Sequence, residues 1–137
     1  MILGLKYTIK VISINLIKKI GGKMKEVVEV IESYNEYIKK LPNGSNYIAQ
    51  NLREDKLSDA FQTIKDFSEG LLWLTEAAQL LQINNVKVQI NMNQLQEFLI
   101  EINEGLEKQD YVLVADLFEY EITPFFEEVQ LIEGEFQ

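Results

Sequence analysis

The sequence contains no cysteine and no histidine among its 137 residues, and only two prolines. Without cysteine the chain forms no disulfide and offers no thiolate as a nucleophile or as a ligand for zinc or iron–sulfur clusters. Without histidine it lacks the side chain that most often moves protons near neutral pH or binds a metal through imidazole. These absences exclude most enzyme templates, so we predict no cofactor and favour a protein without catalytic activity.

Basic residues are also few, with 13 Lys and Arg against 22 Asp and Glu, which gives a net charge of -9. A negative chain is repelled by nucleic-acid phosphates and by anionic membrane surfaces, so we expect neither as a partner. The length is that of one domain, enough to bury roughly two thirds of the surface that the unfolded chain exposes.

Residues 1–23 differ from the rest because they hold five lysines and no acidic residue, in a basic and apolar segment. Its longest uncharged run is too short to span a membrane, which takes about 20 apolar residues, and no signal-peptide cleavage pattern follows it. Purine-rich codons for Gly21-Gly22-Lys23 would resemble a ribosome-binding sequence before Met24. We therefore hypothesise translated upstream sequence and a true start at Met24; the alternative is a genuine amphipathic N-terminal segment.

Residues 24–137 form the single predicted domain, because their apolar residues recur every three or four positions, which indicates amphipathic helices. The first helix is predicted to reach about Lys40 and to end at Pro42-Asn43-Gly44, since proline and glycine interrupt helices. Three further predicted starts are Ser45 for a short helix, Ser58 for a long helix and Asp110 for the final helix, with another helix from about Asn93. The short connections predict an all-α, up-and-down bundle of four main helices with a short extra helix.

One segment departs from helical spacing. Val86, Val88, Ile90 and Met92 alternate with polar residues in the period of two that is typical of a strand. Because one short strand has little to pair with, we favour an extended connector packed along the bundle.

Two stretches carry a family resemblance: Ala60-Phe61-x-x-Ile64-x-x-Phe67-x-Glu69-Gly70-Leu71-x-Trp73-Leu74, and Tyr111-Val112-Leu113-Val114-Ala115-Asp116-Leu117-Phe118-Glu119-Tyr120-Glu121-Ile122-x-Pro124. Together they resemble small acidic all-helical bacterial proteins of unknown function, over about residues 26–131. The resemblance implies a bacterial cytoplasmic protein and no particular activity.

A metal site made of carboxylates alone is the one catalytic arrangement that the composition leaves open. Helical nucleotide pyrophosphohydrolases hold magnesium between spaced acids on neighbouring helices. Here the candidates are Glu26, Glu29, Glu32, Glu104, Glu107 and Asp110. The first three lie opposite the apolar stripe of their helix, so a solvated face explains them better.

Two positions break the helical pattern. On the final helix Glu121 falls within the apolar stripe, and Pro124 is predicted to kink or break the helix one turn further on. Glu121 is then either a semi-buried acid that binds a cation or a partner's basic residue, or a structural acid that is paired or exposed. On the long helix Trp73, Ala77 and Leu80 form a second apolar line, which is either a central position in the bundle or an exposed contact surface.

The favoured function is a non-catalytic protein-interaction module, adapter or chaperone-like, that binds a partner helix or a second copy as a homodimer. Its candidate partner-binding residues are Trp73, Ala77, Leu80, Glu121 and Pro124. The alternative is a magnesium-dependent nucleotide pyrophosphohydrolase that uses the clustered carboxylates.

Overall fold

The structure, a computed structural model, describes residues 24–133. Both interpretations of residues 1–23 therefore concern a segment outside the described residues. The described elements are α1 (Met24–Arg53), α2 (Leu57–Ile83), α3 (Met92–Glu107), α4 (Tyr111–Asp116), a π-helical turn (Leu117–Ile122) and α5 (Thr123–Glu128). The last three follow one another without a loop, and we refer to residues 111–128 as the last helix.

The predicted bundle of four main helices is confirmed. α1 packs against α2 and against all three parts of the last helix, while α3 packs against α4 and, over a smaller area, against α2. Turns of three residues join α1 to α2 and α3 to the last helix, which brings consecutive helices back alongside each other. All regular structure in residues 24–133 is helical.

The predicted end of the first helix is wrong. α1 continues through Pro42 to Arg53, so the short extra helix is the second half of α1, and Ser45 is a buried residue within α1 and not a cap. Proline in a helix interior costs about 3 kcal/mol. Buried side chains continue at helical spacing on both sides of it, among them Leu41, Ile48 and Leu52. Burying each of these side chains stabilises the fold by about 1.5–3 kcal/mol, which offsets the cost of the proline.

Helix starts follow the predicted caps in part. The Asp110 carboxylate accepts a hydrogen bond of 3.0 Å from the Leu113 N–H, as predicted for the cap of the last helix. Asn91 caps α3 in the same way through the Gln94 N–H. Ser58, however, lies inside α2, whose cap position is Lys56 and has no side-chain cap bond. The first-turn carboxylate of Asp59 favours the start of α2 through the helix dipole.

Three helices end in one motif, although none of them has glycine at the position that favours it. The second residue after each helix adopts a left-handed conformation, and the next N–H bonds the carbonyl five residues back. The left-handed residues are Asp55, Asn85 and Gln109. This ending satisfies helix carbonyls that would otherwise lack partners.

The connector between α2 and α3 carries no helix or strand, in agreement with the extended segment that we favoured. Val86 is buried, and Val88, Ile90 and Met92 pack against the core while the residues between them are exposed. The alternating pattern therefore records an extended chain with one side against the bundle.

Candidate functional site

The second apolar line of the long helix lies in the core. Trp73 and Ala77 are 0% exposed and Leu80 is 8% exposed. The Trp73 ring meets the Tyr37 ring edge to face, with centroids 5.6 Å apart. Of the two positions that the sequence allowed, the structure shows the central one. The prediction of an exposed contact surface at Trp73, Ala77 and Leu80 is therefore wrong. The physical reason is that α2 lies between two helices. α1 packs on the side of α2 that carries Trp73, and the last helix packs on the side that carries Phe67.

The other apolar side of α2, which carries Phe67, packs on the last helix through aromatic rings. Phe67 is fully buried and contacts Phe118 and Phe126, with ring centroids 5.1 Å and 6.4 Å away. Because α2 is covered on both of these sides, its two apolar lines are both structural.

Burial also affects several polar side-chain atoms, and two of them lie on the aromatic residues of the core discussed here. The Tyr34 hydroxyl and the Trp73 indole nitrogen are buried with no hydrogen-bond partner. Burial raises the pKa of Tyr34 to about 12, so this phenol stays protonated at neutral pH. Neither group is accessible, and so neither offers a catalytic proton at the surface.

Glu121 is exposed, not semi-buried, because the last helix changes its winding just before it. Over Leu117–Ile122 the helix is of the π type, in which each N–H bonds the carbonyl five residues back. The extra residue in the turn rotates Glu121 out of the stripe that a uniform 100° advance predicts. Ile122 and Phe126 are buried instead.

Pro124 explains where this turn lies. It has no N–H with which to bond the Tyr120 carbonyl, so the regular α pattern cannot continue through it. The Thr123 N–H bonds the Phe118 carbonyl, and the Thr123 hydroxyl donates to the same oxygen over 2.8 Å. The predicted kink or break thus takes the form of a wide turn with satisfied carbonyls.

A cluster of side chains around Arg53 joins the end of α1 to this turn. The Arg53 guanidinium binds the Asp116 carboxylate at 2.7 Å and the Glu119 carboxylate at 3.2 Å. It also lies 6.0 Å from the centre of the Tyr120 ring. A hydrogen bond to Glu119 raises the pKa of the exposed Tyr120. The Arg53 side chain therefore contacts three residues of the last helix. These contacts place Asp116 and Tyr120 on the same side of that helix.

The exposed side of the last helix is unusually apolar. Val112 is 68% exposed, Leu113 52% and Tyr120 65%. Phe61, on α2, is 40% exposed and packs on the Tyr111 ring at 5.7 Å. We call Val112, Leu113, Asp116, Glu119, Tyr120 and Glu121 the last-helix face. Sequence analysis singled out only Glu121 on this face, because single exposed apolar residues are ordinary on helices.

Acidic residues flank this face on α3. The pKa of Glu101 is raised, first by partial burial and then by repulsion from Glu121, Glu97 and Glu104. Partial burial and the three neighbouring carboxylates all disfavour the charged form of Glu101. This arrangement makes the edge of the last-helix face strongly negative.

The raised pKa of Glu101 gives a pH-dependent prediction. Its folded pKa lies above the unfolded value, so the stability it confers when protonated is lost as the pH rises through the carboxyl range. We expect Glu101→Gln to raise the free energy of unfolding by about 0.5 kcal/mol or less near pH 7 and to have no effect near pH 3. Urea denaturation at both pH values measures this, with Glu107→Gln on the same helix as control. An equal effect of Glu101→Gln at both pH values would contradict it.

The candidate metal ligands are not brought together. Glu29 and Glu32 are exposed on the outer side of α1, while Glu104 and Glu107 are exposed near the end of α3. The Asp110 carboxylate is engaged as a helix cap. Within residues 24–133 no three carboxylates form a group that could hold a metal ion. The described residues therefore give the pyrophosphohydrolase alternative no site.

No helix of the described chain is long and apolar enough to cross a membrane. The fold and its surfaces define the class as a small helical bundle with an exposed apolar and acidic face.

A family model described as a domain of unknown function, DUF8042, matches residues 29–132, and the chain belongs to that family. No curated protein and no solved structure matches the chain. The matched range covers all four helices and agrees closely with the span of residues 26–131 over which the sequence showed a resemblance to proteins of unknown function.

Proposed function

We propose that this protein is a non-catalytic, cytoplasmic interaction module, adapter or chaperone-like, which binds a helix of another protein on its last-helix face. The observation that carries the proposal is the exposure of Val112, Leu113 and Tyr120 on adjoining sides of one helix. Scattered exposed apolar residues are ordinary, but three on one short helix, close to an arginine, have the composition of an interface centre.

The wide turn supports the proposal, because π-helical turns in α-helices often occur at functional sites. Here it places Glu121 on the exposed side, and Arg53 holds the segment in place from α1. A surface that is already ordered loses less conformational entropy on binding. Pro124 enters the proposal as the residue that fixes the turn, and Glu121 as a residue of the contact face.

The charges around the face indicate the partner's chemistry. Asp116, Glu119 and Glu121 belong to the face, and Glu101 adds a carboxylate whose charge is unfavourable in the free protein. A partner helix with Lys or Arg beside its apolar residues relieves this repulsion and gains from it. A second copy is a poorer fit, since each copy carries a net charge of -9.

Two exposed leucines allow a matched test. Leu113 is 52% exposed on the last-helix face, and Leu72 is 55% exposed on α2. We expect Leu113→Asp to weaken partner binding about tenfold or more, because it places a charge in an apolar contact, and Leu72→Asp to leave binding unchanged. The tagged full chain is cross-linked in its native cells, the adducts are identified by mass spectrometry, and affinity is then measured with the purified partner.

Both substitutions should change stability by only about 0.5 kcal/mol, since both side chains are exposed. Equal loss of binding in Leu113→Asp and Leu72→Asp, with both variants folded, would show that the last-helix face is not the contact. Sedimentation velocity on the unaltered chain tests the second-copy alternative, for which a dimer would be the supporting result.

A further inference from the structure

The helix α3 is attached to the bundle on fewer sides than its neighbours. It packs against α4 and, over a smaller area, against α2, whereas α1 packs against α2 and every part of the last helix. Four of the 16 residues of α3 are buried, compared with 12 of 27 in α2 and 13 of 30 in α1. Because burial of apolar surface is the main force that joins helices, α3 is held more weakly than α1 and α2.

Polar contacts divide the bundle in the same way. Arg53 binds two carboxylates of the last helix, and the Asn46 amide oxygen accepts a hydrogen bond of 3.2 Å from the Thr123 hydroxyl. The Asn35 side chain forms two hydrogen bonds, of 3.0 and 2.9 Å, with the backbone of Ile132 just after the last helix. Between residues 24 and 133, no side-chain hydrogen bond and no ion pair joins α3 to another helix. Polar contacts therefore tie the last helix to α1 and leave α3 out.

Carboxylates at the boundary between α3 and the last helix work against their contact. Glu101 on α3 and Glu121 on the last helix are both exposed, and their charges repel each other. Glu97 and Glu104, on α3 itself, add to the repulsion on Glu101. When α3 leaves the bundle, the part of the repulsion that comes from Glu121 is relieved.

The chain on either side allows α3 to unfold while its ends stay in place. The connector before it is anchored by the buried Val86, and the turn after it leads to the capped start of the last helix at Asp110. Sixteen residues form a helix about 24 Å long but span about 50 Å when extended, so the unfolded segment still joins both ends. An isolated helix of this length is marginal in water, so α3 loses its helical hydrogen bonds once it leaves the bundle.

α3 covers one end of a row of phenylalanine rings. Phe98 on α3 meets the Phe125 ring edge to face, with centroids 5.3 Å apart, and Phe125 meets Phe126 at 5.0 Å. Phe126 in turn contacts Phe67 on α2 at 6.4 Å. Departure of Phe98 therefore uncovers Phe125 and an apolar surface that continues into the core of the other three helices.

From these contacts we infer that α3 is a conformational switch, which unfolds by itself while α1, α2 and the last helix stay folded, and which thereby uncovers the phenylalanine row at Phe125. The closed state is the one described above, and the open state is a minor population in equilibrium with it. The switch operates in the free protein, so it and the last-helix face can fail separately.

Native-state hydrogen exchange of the unaltered full chain, followed by NMR at low urea concentrations, tests the switch. We expect the amides of Phe98, Leu99 and Ile102 to exchange through one common opening that is at least about 100-fold more populated than the opening at Leu71 and Leu74 on α2. Exchange in α3 should also depend less on urea, because unfolding of one helix exposes less surface than global unfolding. Equal protection and equal urea dependence in the two sets would overturn the inference.

Gly70→Ala separates the two openings, because a methyl group at residue 70 disturbs the contact with Tyr37 between α2 and α1. That contact persists when α3 alone unfolds, so the variant changes the cost of global unfolding and not the cost of opening α3. We expect protection at Leu71 and Leu74 to fall about tenfold or more, while protection in α3 stays unchanged. A loss that α3 shares in full would overturn the inference.

Glu121→Lys tests the contribution of charge, because it replaces repulsion of Glu101 by attraction. We expect protection in α3 to rise about threefold, in keeping with the modest strength of exposed charge pairs. The control is Glu76→Lys, the same change of charge at an exposed position on α2, which should leave protection in α3 unchanged. Equal effects of the two variants would overturn the part assigned to Glu121.

Discussion

Trp73→Ala is expected to lower the free energy of unfolding by about 3–5 kcal/mol. The side chain is 0% exposed and rests on the Tyr37 ring, so truncation removes a large buried surface and leaves a cavity. Since the indole nitrogen has no hydrogen-bond partner, the loss comes from packing. Urea denaturation of Trp73→Ala, followed by circular dichroism, measures the effect.

The control for this variant is Leu72→Ala, one residue away on the exposed side of α2. Leu72→Ala should change the free energy of unfolding by no more than about 0.5 kcal/mol. A domain of this size has a total stability of about 5–15 kcal/mol, so the difference between the two variants is large. A loss below about 1 kcal/mol for Trp73→Ala would contradict the central position of this residue.

Gly70→Ala should destabilise the protein by about 1–3 kcal/mol, although helix propensity alone predicts a gain of about 1 kcal/mol. A methyl group at residue 70 would overlap the Tyr37 hydroxyl and the ring carbons next to it. Tyr37 is 1% exposed and its ring is held against Trp73, so it cannot move aside without disturbing the core. The sign of the change therefore reports how closely α1 and α2 approach.

The measurement is the denaturation midpoint of Gly70→Ala at an unchanged slope. A matched variant is Ser68→Ala, on the same helix at a half-buried position. It should change stability by only about 0.5 kcal/mol. A more stable Gly70→Ala would mean that the two helices lie further apart at this level than the structure shows.

Local sequence rules predicted the bundle because the apolar spacing of each helix agrees with its buried face. The positions Val27, Ile38, Ile64 and Ile102 are buried as their spacing indicates. The cap at Asp110 was also predicted, since it depends on a few neighbouring residues.

The failures occur where distant contacts outweigh local preference. Pro42 predicts a helix end, but the buried residues on both sides of it keep α1 continuous. Glu121 appeared to face the core because a uniform helical period was assumed through residues 117–122, where the helix is of the π type. Trp73 could not be placed from the sequence. An apolar line on a helix has the same sequence pattern whether another helix of the bundle or a partner protein covers it.

The candidate surfaces depended most on the structure. The role of Arg53 follows from the approach of α1 to the last helix, which brings residues 53 and 116 together. The two bonds between Asn35 and Ile132 join residues 97 positions apart, which no local pattern reveals.

The claim that the last-helix face binds another protein is tested most directly by site-specific photo-cross-linking in the native cells. A photoreactive residue is placed at Val112 or Tyr120 on the face, and at Leu72 or Ile83 on α2, all of which are exposed by 55% or more. We predict that positions 112 and 120 yield an adduct with one and the same protein, and that positions 72 and 83 do not. Equal adducts at all four positions, or adducts confined to positions 72 and 83, would contradict the assignment of this face.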